Sequence, residues 1–213
     1  GIEIQRISKI QLTSSYYVSG KMIKALLKEK FDIIHSHHYG YYPATAGFIA
    51  AKLTGTPHVF GPYYHPPVYG TKRWLLFSAY HLTQGFPILR FSDRIFPHTE
   101  YEKKMLLKIG AKEDNIDLLP NMVNTKNFML GRKKEKIVLF VGSLIQERGA
   151  GIALDMADQL LKEMKDTKFV FVGKAHNTEM LQKMERLKGN RNVRFLKNLS
   201  KNQLIEIYQK SLV

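Results

Sequence analysis

Short apolar, β-branched runs recur along the chain, separated by longer stretches whose apolar positions fall at helical spacing. Residues 31–35 (Phe31, Asp32, Ile33, Ile34, His35) read as a buried strand, and residues 57–60, 93–96 and 116–119 repeat the pattern. Residues 137–141, Ile-Val-Leu-Phe-Val, are the strongest such run, followed by 169–172 and 193–196. Continuous apolar strands of this length suit a parallel sheet covered on both faces, because neither face then meets water. Between them, residues 20–30 set Met22, Ile23, Leu26 and Leu27 on one helical face. Residues 43–53 are Ala-rich, and 101–109 carry Met105, Leu106 and Ile109. Residues 151–165 place Ile152, Met156, Leu160, Leu161 and Met164 on a single stripe expected to face the core. Residues 178–187 and 202–208 complete the series, with Thr178 and Ser200 expected as N-caps.

Strand–helix alternation of this kind predicts βαβ units and an α/β, doubly wound architecture. The polar, basic stretch 131–136 divides the units into two sets, so the expected domains are 1–130 and 131–213. Two Rossmann-like units side by side would hold a ligand at the C-terminal ends of their strands. Residues 61–91 break the alternation. They are rich in Pro and aromatics, with Tyr63, Tyr64, Tyr69, Trp74, Phe77, Tyr80, Phe86 and Phe91 beside Lys72 and Arg73. They read as an acceptor-side loop or a membrane-facing patch, against the plainer reading that the aromatics pack the domain.

The 213 residues carry a formal charge of +15 and no cysteine. The missing thiol excludes a disulfide framework, a cysteine nucleophile and any cysteine-ligated metal. The surplus charge asks for an anionic partner or else reflects a Lys-rich surface. It is spread evenly: residues 1–130 hold 16 Lys+Arg against 9 Asp+Glu, and 131–213 hold 17 against 9. With no single basic tail, nucleic acid is not the expected partner. No run reaches the roughly 18 apolar residues of a membrane span, and the first residues lack the plan of a signal peptide. A cytoplasmic site of action is expected, with peripheral contact at the inner face of a membrane.

Two groups carry candidate chemistry. After the strong strand comes a glycine-bearing turn, Gly142, Ser143 through Arg148 and Gly149, able to cradle a phosphate with backbone N–H groups, a helix N-terminus and a guanidinium. It is neither a Walker loop nor GxGxxG, and it reads equally as an ordinary strand–helix turn. The second group is His35, His37 and His38 past one strand with His58 and His65 at the next, convergent if the strands are parallel neighbours. These would orient hydroxyls or act as a base. A zinc site lacks further ligands at a recognisable spacing. No carboxylate pair, GxSxG or HExxH is present.

In order, 31–37, 56–60, 92–99, 116–128, 138–149 and 169–173 resemble the retaining glycosyltransferases of family 4, whose GT-B fold faces two Rossmann-like domains. The resemblance implies transfer of a sugar from a nucleotide sugar, such as a UDP- or GDP-sugar, with retention and without an obligatory metal cofactor. The acceptor would be a glycan or lipid-linked molecule of envelope or glycolipid synthesis. It further implies that Gly142, Ser143, Arg148, Gly149 and Gly173 bind the donor. His35, His37 and Asn121 would face the acceptor cleft. Arg148 stands where the family has Lys, Ser143 where it has Arg, Met122 where it has Gly, and Asn124 where it has Asp. Gly61-Pro62-Tyr63 occupies the place of the family's Thr-x-His, so Tyr63, or the nearby His65, would take the catalytic histidine's position. The family's first strand and its Glu-x7-Glu segment have no counterpart here. Both halves are therefore expected to be incomplete and the chain inactive by itself. The alternative is a catalytically inactive remnant that binds an anionic membrane or RNA.

Overall fold

Two three-stranded parallel sheets organise the chain, one in each of two compact units, Gly1–Met122 and Val123–Val213. The computed structural model describes residues 3–12, 16–67, 69–128 and 134–212, without the side chains of residues 73 and 127. The expected linker residues Gly131, Arg132 and Lys133 lie outside the described residues.

The first unit opens with a small antiparallel pair, β1 (Ile10–Gln11) and β2 (Tyr17–Val18). Helix α1 (Gly20–Lys28) begins where the Ser19 hydroxyl accepts the Met22 N–H. The sheet follows as β3 (Ile34–His37), β4 (His58–Gly61) and β5 (Arg94–Ile95), in that order across the sheet. β3 starts three residues later than its apolar run suggests. Pairing begins at Ile34 opposite His58, and Phe31 and Ile33 remain exposed. The run 116–119 forms one bridge, Ile116 to Ile95, continued by Asp117 N–H to the Ile95 carbonyl and Leu119 N–H to the Pro97 carbonyl. Helix α2 (Tyr42–Thr54) takes Pro43 in its first turn and ends at Gly55 in the left-handed region. There the Ala-rich sequence allows close packing: Ala44, Ala46, Ala50 and Ala51 are fully buried.

The aperiodic stretch 61–91 becomes helical from residue 72. Helix α3 (Lys72–Tyr80) runs through a π-helical turn, His81–Gly85, into α4 (Phe86–Phe91). Helix α5 (Glu100–Lys108) follows β5. The core gathers Phe60, Ile88, Leu89, Ile95 and Leu106, with Phe77 packed against it.

In the second unit β6 (Ile137–Val141), β7 (Lys168–Val172) and β8 (Val193–Leu196) pair in sequence order. Helices α6 (Ala150–Leu160), α7 (Thr178–Leu187) and α8 (Lys201–Lys210) accompany them. Along β7 the alternation sends Phe169 and Phe171 into one cluster with Leu144, Leu154, Ala157 and Met180. Val170 and Val172 go into another, backed by Leu204 and Ile207. Both faces are covered, which is why this strand reads as unbroken apolar sequence.

Two expectations change here and one holds. The stripe expected to face the core is split: Ile152, Met156 and Met164 are exposed, Ile152 at 72%, Leu160 and Leu161 pack against the core, and the fully buried positions are Ala150, Gly151, Leu154 and Ala157. Small residues allow the helix to approach the sheet and α7 closely, and that gain outweighs burying the larger Ile152. The cap of α7 is Asn177, whose Oδ1 accepts the Met180 N–H at 2.9 Å; Thr178 is already helical. Ser200 caps α8 in a capping box with Gln203.

Candidate functional site

In the second unit two glycines meet at the C-terminal ends of β6 and β7. Gly142 N–H donates to the Val172 carbonyl at 2.9 Å, and Leu144 N–H to the Lys174 carbonyl at 3.0 Å. A Cβ on Gly173 would lie 1.8 Å from the Gly142 carbonyl oxygen, so only glycine permits this approach. Beyond it the chain turns through a short 3-10 segment, Gln146–Arg148, to Gly149, whose φ of 73° starts α6. Arg148 folds back over the turn: its Cδ is 3.6 Å from where a Gly142 Cβ would sit. Arg148 is exposed and makes no ion pair among the described residues. The turn thus joins a glycine surface, a helix N-terminus and a free guanidinium, a combination suited to an anionic phosphate. Ser143 is half-buried beside Gly142.

In the first unit β3 and β4 end on one rim, tied by His38 N–H to the Gly61 carbonyl and Tyr39 N–H to the Pro62 carbonyl. Both following residues at the rim are left-handed: His38 has φ 67° and Tyr63 φ 47°. Such backbone is costly for side chains of this size and gathers at functional sites. The rings interlock. His35 and His37 lie 4.1 Å apart, His38 and Tyr63 4.8 Å, and Tyr63 and His98 4.3 Å between centroids. Gly61 makes room for them, since a Cβ there would come within 2.8 Å of His37 Nδ1. Burial lowers the pKa of His35. Burial, reinforced by the charges of His35, His38 and His98, lowers that of His37. Neutral rings at neutral pH can exchange hydrogen bonds with hydroxyls.

His58 does not join them. It lies on the opposite face of the sheet, fully buried, with Nε2 2.8 Å from Ser36 Oγ and Nδ1 2.9 Å from Ser92 Oγ. Ser92 gives its own proton to the Ile88 carbonyl, so His58 Nδ1 donates to Ser92 and Nε2 accepts from Ser36. Burial holds its pKa down to about 4. It is a packing residue. His65 is exposed and makes no ring contact or hydrogen bond among the described residues; Asn121, two residues past Leu119, is likewise exposed.

Two residues at this rim escape a sequence reading. Glu102 is buried on α5, and its carboxylate accepts the Tyr64 N–H at 2.6 Å and the His98 N–H at 2.8 Å. It clamps the segment after β4 to the segment after β5. His98 donates from Nδ1 to the Leu119 carbonyl at 2.7 Å. Nothing in their spacing announces either role, because the partner groups belong to the backbone and two of the three lie 21 and 38 positions away in sequence. Among the described residues no group of three or more His, Asp or Glu is arranged to hold a metal.

The model of "Glycosyltransferase Family 4" matches residues 6–127, and that of "Glycosyl transferases group 1" matches 124–213. No curated protein matches the chain by sequence. Among solved structures, TarM is similar at 14% identity and TM-score 0.64, covering 89% of this chain and 38% of its own. HepE of Anabaena, solved with UDP and glucose, is similar at 16% identity and TM-score 0.64, covering 89% of this chain and 53% of its own. A UDP-GlcNAc 2-epimerase from Neisseria meningitidis, bound to UDP-GlcNAc, is similar at 18% identity and TM-score 0.57, with 90% and 56% covered. At these identities the likeness establishes an α/β fold of GT-B type. The chain spans about 38% to 56% of the length of these structures.

Proposed function

Since the chain belongs to glycosyltransferase family 4, we propose that it serves the transfer of a sugar from a nucleotide-sugar donor to an acceptor, with retention at the anomeric carbon. The observation that carries this is the Gly142–Gly173 apposition under Arg148 at the start of α6. A diphosphate seated there would lie on backbone N–H groups and against the guanidinium. Positive charge in that place stabilises a leaving diphosphate as the glycosidic bond opens, without needing a metal. Ser143 and Gly149 would add hydroxyl and backbone contacts. That HepE is solved with UDP and glucose supports a uridine nucleotide as the first donor to try.

The first unit would take the acceptor. Its His35, His37 and Tyr63 offer neutral hydrogen-bonding groups at one rim, with His65 and Asn121 as exposed flanks. Tyr63 stands in the position read as catalytic, where it would orient the transferred sugar. We infer a glycan or lipid-linked acceptor reached from the cytoplasmic side of a membrane. The support is chemical: from residue 33 to 92 the sequence has no Asp or Glu, while Lys52, Lys72, Arg73 and Arg90 lie within it. From the same stretch Leu75, Leu76 and Leu82 are 65%, 72% and 77% exposed. The contact we infer there is peripheral, through these exposed leucines and the neighbouring basic residues; no helix among the described residues is long and apolar enough to cross a membrane.

Titration calorimetry with UDP, GDP and their sugars tests the donor site. Arg148→Ala is expected to weaken nucleoside-diphosphate binding by about 1.5–3 kcal/mol, the scale of a charge-assisted hydrogen bond. Equal affinity in the variant, or no binding by the parent chain to any of these nucleotides, defeats the reading.

A further inference from the structure

His98 holds the one feature of the rim that the donor site does not explain. Its Nδ1 is committed to the Leu119 carbonyl at 2.7 Å, so in the neutral ring Nε2 carries the free lone pair. That Nε2 is buried and has no hydrogen-bond partner among the described residues. An acceptor left unpaired inside a protein is costly, and such a group asks for a functional account. The ring packed on the His98 ring belongs to Tyr63, 4.3 Å away between centroids.

Tyr63 is a poor permanent cover. Its backbone sits at φ 47°, the residue is 38% exposed, and its hydroxyl makes no hydrogen bond among the described residues. What fixes the segment is its neighbour: Tyr64 N–H is held by the Glu102 carboxylate, and the same carboxylate holds the His98 N–H. The clamp keeps both backbones in place, so the Tyr63 ring can turn out by giving up only its ring contacts with His37, His38 and His98. Rotation of that ring would uncover Nε2 without disturbing the Leu119 bond.

We propose that His98 is a hydroxyl-recognition residue, whose Nε2 accepts a hydrogen bond from a sugar hydroxyl once the Tyr63 ring swings aside, with Glu102 as the positioning residue for both. The proposal rests on the sugar-transfer reading for the class of ligand. It assigns the binding contact to a residue outside the histidine pair His35 and His37, and it makes Tyr63 a cover as well as a contact.

The test is long-range proton–nitrogen NMR of the chain labelled at histidine, with backbone amides recorded in the same sample. His98→Asn assigns the signals and keeps a donor for Leu119 while removing the Nε2 acceptor. D-glucose and UDP-glucose are the probes. Binding is expected to shift the His98 Nε2 resonance upfield while Nδ1 stays protonated. Tyr63→Gly suits φ 47° and removes the cover. It should lower the half-saturating glucose concentration by about fivefold, the factor for an open state populated roughly one-fifth of the time. His98→Asn should abolish the response with the amide spectrum otherwise intact. The Gly142 and Gly173 amides report the donor site separately. If they move with UDP-glucose while His98 Nε2 stays still in the parent chain and in a folded Tyr63→Gly variant, this inference falls alone. If His98 answers glucose while those amides ignore UDP, the inference stands and the donor reading falls. Silence at both overturns both.

Discussion

At the scale of single residues, the histidines divide by the face of the sheet to which pairing assigns them. His35 and His37 sit at positions that alternate with Ile34 and Ser36 in β3, and so reach the exposed face. His58 pairs opposite Ile34 and reaches the buried one. A folded pKa near 4 against an ordinary 6.5 means that the unfolded chain takes up the proton first. Stability contributed by neutral His58 is therefore full above pH 6.5 and is lost as pH falls toward 4, by up to about 3 kcal/mol. Urea midpoints measured from pH 7.5 to 4.5 should fall with acid, and the part of that fall due to His58 should vanish in His58→Asn; an unchanged acid limb in a folded variant would refute this. Gly173 gives a second residue-scale prediction. Gly173→Ala would press a methyl into the Gly142 carbonyl and should destabilise the second unit by about 3 kcal/mol or more, read by chemical denaturation. A change below 1 kcal/mol would mean that the two turns are not apposed.

At the scale of elements, apolar spacing locates helices better than it says which side they bury. In α6 and the turn after it, the stripe Ile152, Met156, Leu160, Leu161 and Met164 meets the core only through Leu160 and Leu161, while the buried side is built from Ala150, Leu154 and Ala157. Periodicity is the same for either side; only the neighbours choose between them. In α3 a similar choice splits a basic–aromatic run. Phe77 turns inward to Tyr39 and Tyr64, at 5.3 and 5.8 Å between centroids, while Leu75 and Leu76 stay in water. Phe77 thus leaves the group read as a membrane contact. Caps depend on local sequence and are more legible. Ser200 and Gln203 satisfy each other's backbone N–H groups in α8. Ser200→Ala should cost about 1 kcal/mol of stability in denaturant unfolding, and no loss would show that the box contributes nothing.

At the scale of the whole molecule, the +15 charge and the acid-free stretch 33–92 bear on the same proposal of peripheral membrane contact. Sedimentation with vesicles of phosphatidylglycerol and phosphatidylcholine should show binding that weakens as salt rises. Leu75→Glu with Leu76→Glu should reduce it by about tenfold or more, since two exposed leucines would no longer enter the interface. Binding that ignores lipid charge, or survives both substitutions, excludes this surface.

The sequence by itself determined the class of fold, the alternation of the main parallel strands with helices, and the two glycine positions, because these follow from local periodicity and from the lack of a side chain; it did not show β1, β2 or the helices α3 and α4 within 61–91. It also carried the family, through motifs in order. The tertiary structure alone decided that 116–119 pairs through a single bridge, that α6 turns its small residues inward, and that His58 is packing. It alone brought Glu102 to Tyr64 and His98 and left His98 Nε2 without a partner. The physical reason is common to all of these. Hydrogen-bond partners and buried faces are set by groups distant in sequence, and a carboxylate on a helix looks the same in one dimension whether it meets water or two backbone N–H groups.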